Sequence, residues 1–224
     1  YYKDLNNWKK KNGEKLEIID SVKTKISIEN LKSYYKNNGY FNSKISSKVI
    51  IDQNNKKLGK VIYNVKTGNQ YILDSISTNI ESEILESIYN LNKEKSILKS
   101  NTIFNTKKFE LERNRIDDLF KNSGIYDFQI NSISFKINLD TTNLKFNIHV
   151  EIIIKEKGLN KIYKKHTVNK INLFVEKEEI INETKKLFKY DSINFFSNSN
   201  LEYNPKILSD LILIKENDFY NDSK

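Results

Sequence analysis

Several residue types that support familiar chemistry are missing or rare in this sequence. It contains no cysteine, so neither a disulfide nor a thiolate site can form. It contains no methionine, which predicts that the chain is a piece of a longer translation product. Proline occurs once, and no apolar run approaches the roughly 18–20 residues that a membrane-spanning helix needs. A disulfide scaffold, thiol chemistry and a membrane helix are therefore not expected.

Groups that could bind metals or act in catalysis are also sparse. The two histidines are His149 and His166, and two isolated histidines without cysteine do not predict a metal site. No phosphate loop of the form GxxxxGK(S/T) or GxGxxG occurs. The adjacent acidic pairs Asp117-Asp118 and Glu178-Glu179 point into different helix sectors, and no serine has a histidine predicted beside it. The sequence therefore predicts neither catalysis nor a cofactor.

Positive charge is the strongest signal in the composition. The net charge is +9, from 38 lysines and arginines against 29 acidic residues. This balance is compatible with nucleic acid, an anionic membrane surface or an acidic protein as partner. The lysines are spread along the chain rather than gathered in one basic block, which favours a solvated surface. Hydrophobic residues make up 38% and aromatics 12%, enough for each domain to build a core.

An internal repeat organises the chain. The segments YYKNNGYF and LFKNSGIYDF align without gaps around Gly39 and Gly124, which lie 85 residues apart. Self-similarity at a fixed spacing indicates tandem copies of one structural unit. Further pairs in the same register are Leu31 with Ile116, Tyr35 with Phe120, Asn37 with Asn122, Phe41 with Tyr126 and Ile45 with Ile130.

Each copy is interpreted as a helix, a glycine stop and a hairpin. In the second copy Thr106 is the expected N-cap, and Gly124 takes the left-handed position that ends a helix. In the first copy Ser27 is the expected N-cap and Gly39 the stop. Alternation of apolar and polar residues then predicts antiparallel hairpins with one buried face. The paired segments are 133–139 with 144–152, and 45–51 with 60–65.

The segment between the two copies completes the middle unit. Residues 71–77 are predicted to form a strand, and residues 82–98 a helix with one apolar face. The predicted element order is therefore strand, helix, helix, strand, strand.

These elements predict three domains. Residues 1–68 form an incomplete unit with a helical remnant at 5–11, and residues 69–158 form the complete unit. Residues 159–224 are the start of a further, truncated unit that opens with a strand at 168–175. Incomplete units at both ends agree with a chain that is part of a longer protein.

This organisation, with helix, glycine and aromatic before each hairpin, resembles the POTRA domains of the Omp85 outer-membrane assembly proteins. Three stretches resemble its TamA-like lipoprotein (TamL) branch: NNWKKKNGEKLEIID, FELERNRIDDLFKNSGIYDFQINSISFKINLD and YNPKILSDLILIKENDFYN. The likeness covers most of the chain, and residues 176–200 follow it less well. Ile125 stands where the family usually has an aromatic. Asn217 stands where it has glycine, and asparagine tolerates the left-handed conformation.

The resemblance implies an α+β fold of tandem POTRA units, each a β-α-α-β-β arrangement whose three-stranded mixed sheet carries two helices on one face. It also implies a periplasmic scaffold, attached to the outer membrane through a β-barrel outside this chain. The partners it implies are unfolded outer-membrane or secreted polypeptides, that β-barrel, and accessory subunits of an assembly complex. It implies no enzymatic activity and no cofactor.

Strand addition is the expected binding mode, because the first strand of each hairpin has one edge that the hairpin leaves open. Residues of these strands are the candidate client-binding residues, and lysines among them would guard the edge against aggregation. They are Ser132, Ser134, Lys136 and Asn138 in the second copy, with Ser46 and Lys48 in the first.

Arg113 and Arg115 are the only arginines in the chain. Arginine presents a planar fork of donors that lysine cannot replace. Two interpretations are open: a fixed ion pair or contact between units, or surface charges that assist the helix. A structural role is preferred for both arginines, as it is for Gly39 and Gly124.

Two other functions are compatible with the sequence. A basic nucleic-acid-binding protein would use the net charge of +9 and stack Tyr and Phe on single strands. Against it, the aromatics fall largely on predicted core faces and no nucleic-acid-binding motif is present. A structural or adhesion module is opposed only by the family resemblance. Strongly salt-dependent DNA affinity would separate the first alternative from polypeptide binding.

Overall fold

The computed structural model describes residues 18–54, 58–140, 146–158, 162–175, 186–197 and 203–223. The chain divides into two compact units. The first comprises 1–72 with 103–105, and the second comprises 73–102 with 106–224. The predicted helical remnant at 5–11 lies outside the described residues. No helix among the residues described is long and apolar enough to cross a membrane.

The first unit holds helix α1 (Ser21–Asn37), which begins earlier than the sequence predicts. Its N-cap is Asp20, whose carboxylate accepts a hydrogen bond of 2.7 Å from the Val22 N–H. The prediction of Ser27 as N-cap is wrong. Ser27 lies inside the helix and donates its hydroxyl to the Lys23 carbonyl at 2.8 Å. Both side chains can accept a hydrogen bond from an N–H in the first turn of a helix, so the residue type alone does not show which of them is the N-cap.

A two-stranded hairpin follows α1. Strand β1 (Lys44–Ile51) pairs antiparallel with β2 (Gly59–Lys66), from Lys44 opposite Lys66 to Ile51 opposite Gly59. This confirms the predicted hairpin. Helix α1 ends where Gly39 adopts a φ of +86°, a conformation that residues with a Cβ rarely take.

The middle of the chain forms the most complete sheet. Its elements are β3 (Ile72–Ile80), α2 (Glu83–Leu91), a 3₁₀ turn (Lys93–Lys95), β4 (Thr102–Ile103), α3 (Thr106–Asn122), a second 3₁₀ turn (Ile130–Ser132), β5 (Ile133–Asp140) and β6 (Asn147–Ile154). The strand order is β4-β3-β6-β5. The α+β class and the strand-helix-helix-strand-strand order are confirmed, and the short strand β4 is added at one edge.

Helix α2 is shorter than the predicted helix at 82–98. It ends at Leu91, where the Asn92 side chain donates to the Ile88 carbonyl at 3.1 Å. The chain then turns back to run beside β3, and the Asn101 N–H donates to the Leu73 carbonyl at 2.7 Å. No glycine or proline marks this stop, which explains why the apolar pattern overran it.

The sheet is mixed. β5 and β6 are antiparallel, from Ile133 opposite Ile154 to Asp140 opposite Asn147. β3 runs parallel to β6. At one end the Glu81 N–H donates to the Ile154 carbonyl at 3.1 Å, and at the other end Asp74 contacts Asn147, so both strands advance in the same direction. Parallel neighbours cannot be joined by a tight turn, and the connection from β3 to β6 runs through α2, α3 and β5.

The core of the second unit lies on one face of this sheet. Alternate residues of β6 are fully buried, whereas those between them are half-exposed. Full burial of one such aliphatic side chain stabilises the fold by roughly 1.5–3 kcal/mol. Helices α2 and α3 contribute the opposite side of the core. The buried residues include Ile148, Val150, Ile152 and Ile154 from β6, and Leu85, Tyr89, Ile116 and Phe120 from the helices.

The last part of the chain carries a third sheet. Strands β7 (Ile171–Val175), β8 (Lys186–Tyr190) and β9 (Ile193–Ser197) lie in the order β7-β9-β8. β9 is parallel to β7 and antiparallel to β8, so this sheet repeats the arrangement of β3, β6 and β5. The sequence predicted only the first of these strands. Helix α4 (Pro205–Leu211) follows, capped by Asn204.

The glycine repeat has the same local structure in both units. In the first, the Gly39 carbonyl accepts from the Tyr71 N–H at 2.9 Å, and the Phe41 ring packs edge-on against Tyr71. In the second, the Gly124 carbonyl accepts from the His166 N–H at 2.8 Å, and Tyr126 packs against His166. The repeated segment therefore ends a helix and also binds a later strand segment.

Candidate functional site

Strand β5 lies at one end of the strand order in its sheet. It pairs along its whole length with β6, and no other strand in the described part of the chain pairs with it. The outer edge of β5 therefore presents backbone groups to any added strand.

The hydrogen-bond register determines which groups face this edge. The Lys155 N–H donates to the Ser132 carbonyl at 3.1 Å, so the pair formed by Ser132 and Lys155 is hydrogen-bonded across the hairpin. Such pairs alternate in an antiparallel ladder, so Ser134, Lys136 and Asn138 also bond towards β6. The Ile154 carbonyl, which bonds towards β3, fits the same register.

The residues between them turn their backbone groups to the outer edge. These N–H groups belong to Phe135, Ile137 and Leu139. The Ile133 N–H is already used, because it donates to the Ile130 carbonyl of the preceding turn. The edge thus offers three evenly spaced donors, with carbonyl acceptors between them.

The side chains predicted to bind clients lie mostly on the face opposite the helices. Ser134, Lys136 and Asn138 are exposed there, and Lys136 Nζ lies 3.7 Å from the Glu151 carboxylate. Ser132 is different. It belongs to the 3₁₀ turn before the strand, and its hydroxyl lies 3.1 Å from the Tyr163 hydroxyl. Ser132 therefore helps to position the start of β5.

The other face of β5 forms an apolar strip beside α3. Ile137 is 39% exposed and Leu139 is 45% exposed, whereas Ile133 is only 3% exposed. Between them, Phe135 meets Phe109 of α3 edge-on, with ring centroids 5.2 Å apart. Strand edge and apolar strip together form the candidate site.

The first unit offers an edge of the same kind and the same strand length. Ser46 and Lys48 are exposed on β1, opposite Asn64 and Ile62 of β2. The sheet has two strands, so β1 has no second neighbour among the residues that are described. Both predicted edge segments are therefore at sheet borders.

The two arginines have different environments. Arg115 donates from Nε and Nη2 to the carboxylate of Glu112 at 2.9 and 2.7 Å. Glu112 is completely buried and also accepts from the Ser96 hydroxyl and the Ile97 N–H. Arg115 thus has the fixed ion pair that the sequence left open, and Glu112 ties α3 to the turn after α2. Burial raises the pKa of the adjacent Tyr89 phenol.

His149 contradicts the expectation that no serine lies beside a histidine. Its Nδ1 lies 2.8 Å from the Ser75 hydroxyl and its Nε2 lies 3.2 Å from the Ser77 hydroxyl. These serines precede His149 by more than seventy residues, so no local pattern predicted the contact. A nucleophilic serine needs a histidine whose second nitrogen is oriented by another group, usually a carboxylate. Here a second serine occupies that nitrogen, on an open sheet face.

The described residues contain no group of three or more side chains that could hold a metal ion. The sequence also contains a second repeat, which was not predicted. The motif Lys-x-Asn-x-apolar-aromatic-Asn occurs at 99–105 and at 215–221. Asn101 and Asn217 both have positive φ, and each donates its N–H to the strand beside it, at Leu73 and Val168. A search for this motif would have found it.

No protein-family model and no curated protein matches this chain. Among solved structures, it is similar to POTRA3-5 of BamA from Haemophilus influenzae, with a TM-score of 0.39, 17% identity, and coverage of 94% of this chain and 67% of that chain. It is also similar to BamA from Haemophilus ducreyi lacking POTRA domains 1-3, with a TM-score of 0.40 and 13% identity, over 65% of this chain and 25% of that chain. For POTRA1-3 of Omp85 from Anabaena the TM-score is 0.30 and the identity 15%, over 63% of this chain and 54% of that chain. All three TM-scores are low, and the fold is defined by the strand order and directions given above.

Proposed function

We propose that this chain is a periplasmic, non-enzymatic scaffold of the Omp85 family, related to the TamL branch and built from tandem POTRA units at 1–68, 69–158 and 159–224. The observation that carries the proposal is the open outer edge of β5, a regular strand at the border of a mixed sheet. The recurrence of the glycine structure at Gly39 and Gly124 supports a tandem array. A β-barrel outside this chain would attach it to the outer membrane, and accessory subunits of an assembly complex would act with it.

Binding would extend the sheet by one strand. An unfolded outer-membrane or secreted polypeptide in extended conformation presents donors and acceptors that match Phe135, Ile137 and Leu139. Because the bonds involve the backbone, they form with many client sequences. Each contributes a net gain of only about 0.5–1.5 kcal/mol. A few such bonds would hold a client and still allow its release.

The apolar strip would favour clients with alternating apolar residues. Strands of outer-membrane barrels have this pattern, with every second residue apolar. On an added strand, alternate side chains would face the helix side and cover the exposed parts of Ile137 and Leu139. Polar side chains would face the side of Ser134 and Lys136.

A matched pair of proline variants tests this function. Ile137→Pro removes an N–H that points to the open edge, whereas Lys136→Pro removes one that bonds to β6. We expect Ile137→Pro to weaken binding of an unfolded barrel protein at least about tenfold with little change in unfolding temperature. Lys136→Pro should lower the free energy of unfolding by about 1–3 kcal/mol, with binding kept by the folded fraction.

Two outcomes would contradict the proposal. One is unchanged client binding by a folded Ile137→Pro variant. The other is binding of single-stranded DNA that is tighter than client binding and falls steeply with salt, which would favour the nucleic-acid alternative.

A further inference from the structure

Arg113 lacks the kind of partner that Arg115 has. Within the described residues it forms no ion pair, and its Nε is buried without a hydrogen-bond acceptor. A buried donor left unpaired costs free energy. The residue as a whole is only half-buried, and its guanidinium lies over an aromatic ring rather than against a carboxylate. Because Nε is closed to solvent, an added carboxylate would meet this guanidinium from the side of its terminal nitrogens, Nη1 and Nη2.

The guanidinium lies beside the open edge of β5. Arg113 follows Phe109 by one turn of α3, and its Cζ lies 5.3 Å from the centroid of the Phe135 ring. Phe135 is one of the residues whose backbone N–H faces the open edge. The positive charge thus stands on the helix side of the edge, beside Phe135, the third residue of β5.

Asp117 is the carboxylate one turn further along α3. Its Oδ2 is 2.9 Å from Lys121 Nζ, and its Oδ1 is buried without a partner. An i,i+4 pair between Arg113 and Asp117 is sterically reasonable on a helix, yet the two residues do not pair. Asp117 is therefore the competing partner that an experiment has to separate.

We propose, on the basis of the strand addition proposed above, that Arg113 is a receptor for a carboxylate of the bound polypeptide. An added strand turns alternate side chains towards α3, and the one opposite Phe135 would lie about 4.5–5.5 Å from it, measured between Cβ atoms. A carboxylate there meets the planar fork of donors that binds it in bidentate geometry. The carboxylate comes from an acidic side chain or from the terminus of the client chain.

The test uses fluorescent peptides of about ten residues with alternating valine and threonine. In the first pair, one residue is either glutamate or glutamine, and its position is moved along the peptide. In the second pair, the C-terminus is either free or amidated. We expect a carboxylate in at least one pair to strengthen binding to the wild-type chain roughly tenfold. The pair that responds identifies the source.

The matched variants are Arg113→Met, Arg113→Lys and Lys95→Met. Arg113→Met should abolish the preference for the carboxylate while binding of the uncharged peptide is unchanged, and Arg113→Lys should restore part of it. Lys95 is an exposed cation in the turn after α2, so Lys95→Met should leave the preference intact.

Failure of this inference is distinct from failure of the proposed function. Equal binding of charged and uncharged peptides, with binding still sensitive to Ile137→Pro, would overturn the carboxylate receptor alone. A second outcome would also overturn the carboxylate receptor. Arg113→Met and Asp117→Asn would lose equal stability, the losses would not add in the double variant, and peptide binding would be unaffected. Arg113 would then be the partner of Asp117. If no peptide or unfolded client binds the wild-type chain, both proposals fall.

Discussion

The two helices that precede the hairpins are held in different ways. α3 buries five residues, including Glu112, whereas α1 buries none. In the repeat register, Ser27 and Asn30 of α1 stand where α3 has Glu112 and Arg115. Both helices end in the same glycine structure, so the two copies share the local stop signal, whereas only α3 has the buried ion pair. Similar sequence therefore does not imply similar attachment of the helix.

The largest expected effect breaks the attachment of α3. Glu112→Ala leaves Arg115 without its partner and removes the acceptor for Ser96 and Ile97. We expect a loss of about 3–5 kcal/mol in the free energy of unfolding, measured by urea denaturation. Ser27→Ala, the matched change in α1, should cost less than about 1 kcal/mol. Equal losses would remove the contrast between the helices.

The next effect compares the two hairpins. Ile152 of β6 is fully buried, and Ile62 of β2 is 36% exposed. Ile152→Ala should destabilise its unit by about 2–5 kcal/mol because it leaves a cavity in the core. Ile62→Ala should cost clearly less. Hydrogen exchange of the amides in each unit measures the two losses separately, and a larger loss at Ile62 would show that the first unit has a tighter core than its exposure indicates.

For the glycines that end the two helices, the larger loss of stability is expected in the first unit, at Gly39. A Cβ at Gly39 would lie 3.2 Å from the Tyr71 carbonyl oxygen and 3.3 Å from that of Phe104, whereas at Gly124 the nearest atoms are side-chain carbons at 3.5 Å. Both alanine variants carry the cost of positive φ, about 1–2 kcal/mol. Gly39→Ala has the added crowding against backbone, so it should destabilise more. Local exchange rates near each glycine measure the difference, and a greater loss at Gly124 would contradict it.

The smallest effect on stability is expected at Lys136. Its pair with Glu151 is long at 3.7 Å, and the lysine side chain is 61% exposed, so Lys136→Ala should cost less than about 1 kcal/mol. Removal of a charge beside an open strand should instead increase self-association, as seen by sedimentation velocity. Lys95→Ala is the control for a lost surface charge. Equal association of the two variants would show that Lys136 does not guard the edge.

Local patterns predicted the elements that local physics determines. The hairpins followed from period-two alternation, and the stops at Gly39 and Gly124 followed from their surroundings. The predicted helix at 82–98 was too long because its end depends on the return of the chain beside β3. Strands β8 and β9 were missed in the part of the chain where the family resemblance is weakest.

The site was predictable in part. The position of β5 at a sheet border follows from the expected strand order. Which of its N–H groups face outward could be determined only from the hydrogen bonds of the Ser132 and Ile154 carbonyls. The contacts of Glu112 with Ser96 and of His149 with Ser75 join distant segments, so no sequence window contains both partners. The different roles of Arg113 and Arg115 depend on such tertiary contacts as well.

Amide hydrogen exchange of β5, with and without an unfolded client, tests the central claim most directly. In the free protein, the amides of Phe135, Ile137 and Leu139 should exchange faster than those of Ser134 and Lys136, because only the latter bond to β6. Client binding should slow exchange at the outward set and leave the inward set unchanged. Exchange that is unaffected at the outward set when the client is bound, with protection gained elsewhere in the chain, would contradict strand addition at β5.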